Sequence, residues 1–211
     1  MMDDDAREQA FMSALVTEHF VLLSAASTTV SEAGARASMY IFSLSSSLVA
    51  MGFAAQVPDV FRPLMATVLP LIFVLGVFTV VRLTDTSVEN NQNLQAIARI
   101  RRYYRTLTPE APAFFAAWGA DEDETAEALA MLGTKRRAAP VLFTMASMVA
   151  TINALVGGVG VALLTAASAP TTVGLPILLG ALTTLGLIGL AIGYQLRRFS
   201  AAEHANGQGD G

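Results

Sequence analysis

The sequence predicts an all-α, polytopic membrane protein with four transmembrane helices in two hairpins plus cytoplasmic helical extensions. Three observations predict it. Of 211 residues, 54% are hydrophobic and only 14% charged, whereas soluble domains carry about 25% charged residues. Mean hydropathy is +0.53. Four uncharged stretches, 37–57, 63–81, 138–166 and 172–196, are each long enough to cross about 30 Å of hydrocarbon at about 1.5 Å per helical residue. Twelve of the thirteen Lys and Arg residues lie outside the two short connectors, 56–63 and 167–171; Arg62 is the exception. The expected domains are an N-terminal cytoplasmic helix (1–36), a first hairpin (37–81), a cytoplasmic helical insert (82–137), a second hairpin (138–196) and a disordered cytoplasmic tail (197–211).

The N-terminus, MMDDDAREQ, is acidic where a secretory leader is basic, so the first span is expected to act as an uncleaved anchor. From residue 8 to 36, Phe11, Met12, Leu15, Val16, Leu22, Leu23, Ala26 and Val30 recur at steps of three and four, with His19 completing the stripe. Glu32 and Arg36 stand four apart, in reach of one another on a helix. Gly34 is the weak point, costing about 1 kcal/mol against Ala.

The first span, 37–57, contains Ser43, Ser45, Ser46 and Ser47. A serine hydroxyl can bond a carbonyl one turn back, let another helix approach, or line a polar path. Ser43, Ser46 and Ser47 are therefore candidate pore or packing residues. Gln56 to Pro63 reads as a connector. The second span, 63–81, contains Pro70, which removes one backbone bond and predicts a kink or hinge.

No breaker lies between Gly76 and Pro109, so the second helix is expected to continue out of the membrane. Residues 82–105 would then extend roughly 35 Å. The N-terminal extension is of similar length and enters on the same side, so the two are expected to pack together as a stalk or to lie on the bilayer. Thr108-Pro109-Glu110 predicts a helix start with Thr as N-cap, and Gly119 a stop. Asp121 and Glu124 stand at capping-box spacing before a short helix over 126–132. The third and fourth spans, 138–166 and 172–196, are separated by five residues, and Arg197-Arg198 opens the tail.

Orientation follows from the basic residues: both termini and the insert face the cytoplasm. Arg outnumbers Lys twelve to one and Ala is abundant. That bias suits a bacterial genome rich in GC and points to the bacterial cytoplasmic (inner) membrane.

The most suggestive local feature is ARIRRYYR over 98–105. Arg99, Arg101, Arg102 and Arg105 interleave with Tyr103 and Tyr104, a composition that can stack bases and pair phosphates, or bind anionic lipid headgroups. The plainer reading is a solvated basic face that sets topology, with the acidic run 121–127 as its intramolecular partner. A net charge of −4 gives no general preference for nucleic acid, which is not among the expected partners. Asn153 is the one strongly polar residue deep in a span, and it can bond a neighbouring helix or line a path. Gly189 and Gly193, and Ala154 and Gly158, have the small-residue spacing that permits close helix contact, within a subunit or between subunits.

No catalytic, cofactor-binding or metal site is expected. The absence of cysteine removes disulfides, thiolate metal sites and a cysteine nucleophile. No phosphate loop, G-x-S-x-G or H-E-x-x-H motif occurs, and the acidic run lacks the Gly and Glu of a calcium loop. None of the four spans holds the charged residue that proton-coupled carriers retain. The expected function is non-enzymatic: an oligomerising scaffold or sensor that engages a cytoplasmic protein partner through 82–137. A small channel gated through that insert is the alternative.

Overall fold

The computed structural model describes residues 4–115, 124–131, 144–168 and 174–207. These are 94% helical, with no strand among them. The helices are α1 (Asp4–Ala54), α2 (Pro58–Arg105), α3 (Ala111–Phe114), α4 (Glu124–Met131), α5 (Met145–Ser168) and α6 (Gly174–Gly207).

α1, α2, α5 and α6 are long and apolar enough to cross a membrane. Their large apolar side chains point away from the protein: Phe42, Phe53, Phe78 and Leu190 are 67–75% exposed. Water would penalise that much apolar surface at about 25 cal/mol per Å², whereas hydrocarbon would not.

α1 is continuous across Gly34, and α2 is continuous from Pro58 through Pro63 and Pro70 to Arg105. The expected connector therefore shortens to the three residues 55–57. Pro70 is exposed on α2; its ring denies a partner to the Ala66 carbonyl without ending the helix. α3 starts at Ala111, not Pro109, with Glu110 at the N-cap and Pro112 within the first two helical positions. Proline's fixed φ suits that first turn. α6 runs on past Arg197 to Gly207, where a disordered tail is expected. The Ala-rich stretch after Ser200 contains no breaker before that glycine. Gly119, Asp121, Trp118 and the basic triplet 135–137 lie outside the described residues.

The chain divides into two compact units, Met1–Glu32 with Thr86–Pro140 and Ala33–Asp85 with Val141–Gly211. In the first, the N-terminal part of α1 packs against the C-terminal part of α2. Phe11 meets Tyr103 edge-on at 5.6 Å between ring centroids, and His19 lies 6.2 Å from the Tyr104 ring. Nearer the other end, Thr29 Oγ1 donates to Asn90 Oδ1 at 3.2 Å. Ala26, Ile97, Ala98, Ile100 and Tyr104 are buried here. The apolar stripe of α1 is broader than this contact needs. Met12, Leu15, His19 and Leu22 are partly covered, whereas Val16, Phe20, Leu23 and Val30 face outward.

The core of the second unit comes from three helices: Ala37 and Tyr40 of α1, Ile72, Val80 and Leu83 of α2, and Ala146, Val149 and Ala150 of α5. α6 lies antiparallel to α5. Ser147 Oγ donates to Gln195 Oε1 at 3.0 Å, and further along Thr184 Oγ1 donates to the Ala154 carbonyl at 3.4 Å.

Candidate functional site

Asn153 stands at the centre of the second unit. It sits eight residues into α5, about 12 Å from Met145 by helical rise, and is 5% exposed. Tyr40 Oη of α1 donates to its Oδ1 at 3.2 Å. On the third side is Gly76 of α2, where an added Cβ would overlap the Asn153 carboxamide. One amide thus needs a hydroxyl from one helix and a missing side chain on another. Buried polar groups are stable only when hydrogen-bonded, and interhelical bonds of this kind in a membrane contribute about 0.6 kcal/mol, up to about 1.7.

Beside Asn153 is a cavity of about 210 Å³ lined by α2, α5 and α6. Phe73, Val77, Leu187, Ala191 and Tyr194 supply apolar walls, and Asn153 supplies the amide. Toward the ends of α2 and α6, Gln195 accepts from Ser147 and is 1% exposed, while its Nε2 is buried with no acceptor among the described residues. Beyond it Arg198 donates to Asp85. That hydrogen bond, with the Asp85 charge, raises the Arg198 pKa above its ordinary value.

The serines behave differently. Ser43 bonds the Met39 carbonyl and Ser47 the Ser43 carbonyl, both at 2.8 Å within α1, and Ser46 is exposed on the same helix. Of the glycines, Gly158 meets Gly180 and Thr184 at the α5–α6 crossing, whereas Gly186, Gly189 and Gly193 have nothing within 4 Å of where a Cβ would be. Gly180 has no glycine four residues away, but Thr184 stands at that small-residue spacing and lies at the same crossing. Gly76 acts alone.

In the first unit the arginine-tyrosine cluster is divided by burial. Tyr104 is buried, with its hydroxyl unpartnered and its pKa raised by desolvation. Arg105 makes two hydrogen bonds to Glu127 of α4, at 3.2 and 3.0 Å, and Arg101 Nε lies 3.8 Å from the same carboxylate. The Glu127 side chain is 3% exposed, so α4 is held by a buried charge with bidentate geometry. Arg99 and Tyr103 are exposed, and Arg102 is partly covered. His19 has a buried, unpartnered Nδ1; desolvation, then the Arg101 charge, lowers its pKa below 6.5.

Among the described residues no group of three or more His, Cys, Asp or Glu is placed to hold a metal ion. No protein-family model, curated protein or solved structure matches this chain.

Proposed function

We propose that this chain is a multi-pass membrane protein of two helical hairpins that self-associates and acts as a scaffold or sensor. Both termini and the 82–137 insert face the cytoplasm, and the membrane is the bacterial inner membrane. The first unit engages a cytoplasmic protein partner. The observation that carries self-association is the open face of α6 at Gly186, Gly189 and Gly193. Within the chain, the close α5–α6 contact uses Gly158 and Gly180, so this second glycine row is left unused. A glycine row in a membrane helix lets another backbone approach closely, and neighbouring Leu182, Leu185 and Leu190 are exposed to pack around it.

Partner engagement is supported by the outward row Val16, Phe20, Leu23 and Val30 on α1, together with exposed Arg99 and Tyr103. Arg101 and Arg105 are engaged by Glu127, so partner contact through this cluster falls to the exposed edge of Tyr103.

The test is energy transfer between donor- and acceptor-labelled full-length copies in lipid vesicles, titrated over protein-to-lipid ratio. Wild type is expected to associate, and Gly189→Leu with Gly193→Leu to weaken association at least tenfold. A wild-type chain that stays monomeric at every ratio overturns the reading. Conductance recordings of the same vesicles decide whether an assembly also forms a pore.

A further inference from the structure

The cavity beside Asn153 has a feature that packing does not require. Tyr40 takes Oδ1 of the amide, and Tyr40 is the one side-chain partner that Asn153 has among the described residues. The Nδ2 donor is left without an acceptor on a side chain 5% exposed that lines the cavity. An amide donor that faces hydrocarbon lacks a hydrogen bond, and an acceptor entering this cavity supplies it.

We propose that the cavity binds a membrane-soluble, single-ring carbonyl compound of the quinone class, with one carbonyl accepting from Asn153 Nδ2 and an aliphatic tail leaving toward the lipid. Size supports this occupant. A cavity of about 150 Å³ takes benzene, and about 210 Å³ takes a substituted ring. Wall chemistry supports it too: Phe73 and Tyr194 offer aromatic faces, and apart from Asn153 the remaining walls are aliphatic. The exit is at Val77 and Leu190, which line the cavity and are 43% and 71% exposed.

Depth separates this ligand from the bulk lipid. Asn153 lies at least about 12 Å by helical rise from either end of α5. Ester carbonyls of bilayer lipids sit at the headgroup boundary and do not reach that depth, whereas a ring carbonyl carried on an apolar tail does. The inference rests on the membrane reading and is independent of self-association.

The experiment measures binding of decylbenzoquinone and decylbenzene to full-length protein in lipid nanodiscs, by native mass spectrometry. The two probes share ring and tail and differ in the carbonyls. The chain has no cysteine for a quinone to alkylate. Wild type is expected to bind the quinone five- to tenfold more tightly than decylbenzene, the ratio that one hydrogen bond of about 1 kcal/mol gives. Asn153→Leu is expected to lose that preference. Because Asn153→Leu also breaks the Tyr40 contact, Ala191→Phe provides a second arm: it fills the cavity, leaves Asn153 and Tyr40 in place, and is expected to abolish binding of both probes. The proposal is overturned if neither probe binds wild type. It is overturned equally if decylbenzene binds as tightly as the quinone, which would make the occupant a plain lipid tail. Undiminished quinone binding to folded Ala191→Phe also overturns it.

Discussion

Adding one methyl group to Gly180 should open the α5–α6 crossing. A Cβ there would lie 2.7 Å from the Gly158 carbonyl oxygen and 2.9 Å from Ala162 Cβ, where ordinary contact begins at 3.4 Å. These shortfalls require the helices to part by about 0.5–0.7 Å, and overpacking of this size costs about 1–3 kcal/mol. The Gly158 carbonyl belongs to helix backbone and cannot rotate away. The Thr184 bond to the Ala154 carbonyl, already 3.4 Å long, would be lost as well. Gly160→Ala, on the facing helix α5, is the control. Nothing lies within 4 Å of its Cβ position, so it should be neutral or stabilising by up to about 1 kcal/mol, the helix preference of Ala over Gly. Unfolding in mixed micelles with rising SDS, followed by helicity, measures both. Equal stability of Gly180→Ala and wild type, or equal destabilisation by the two substitutions, would refute the assignment of the crossing.

Three further outcomes follow from the same structure. In a double-mutant cycle of Tyr40→Phe and Asn153→Leu, the coupling should be about 0.5–1.5 kcal/mol; a coupling near zero in the SDS titration removes the Tyr40–Asn153 bond from the account. Glu127→Gln should loosen α4 by about 1–3 kcal/mol, less than a fully buried pair gives because the arginines are 16–24% exposed, and hydrogen exchange over Glu124–Met131 should speed up at least fivefold. His19 is held neutral by desolvation and Arg101, so the unfolded state takes up its proton first. Stability of the α1–α2 contact is then fully present above about pH 6.5 and lost as pH falls toward the lowered pKa. Exchange protection of residues 8–32 should drop between pH 7.5 and 5.5 in wild type, and His19→Leu should flatten that dependence.

The four helices long and apolar enough to cross a membrane were legible because a bilayer demands about 20 apolar residues in a row, and four such runs stand uncharged in the sequence. The continuity of α2 was legible for a related reason, since nothing between Gly76 and Pro109 can stop a helix. Pairings across the fold were not legible. Tyr40 and Asn153 are 113 residues apart, and no local pattern in α1 marks a tyrosine as the donor. Small-residue spacing marked surfaces without saying what each meets: Gly189 and Gly193 face open space, whereas Gly158, marked with Ala154, forms the tight contact against Gly180. The acidic run was a visible match for the arginine cluster, and among its described residues Glu127 is the one buried against Arg101 and Arg105. Four-residue periodicity in α1 marked its apolar residues but not that they divide between a packed face and an outward one.

The central claim is four crossings, with the N-terminus, the insert and the C-terminus on one side. The natural absence of cysteine allows a direct measurement with single cysteines placed at exposed Ser13, Asp59, Glu89 and Ala201. Intact cells are treated with a membrane-impermeant maleimide, then permeabilised and treated again. Asp59→Cys should be labelled in intact cells, and Ser13→Cys, Glu89→Cys and Ala201→Cys only after permeabilisation. Labelling of Ser13→Cys in intact cells, or of Ser13→Cys and Ala201→Cys from opposite sides, would contradict the account.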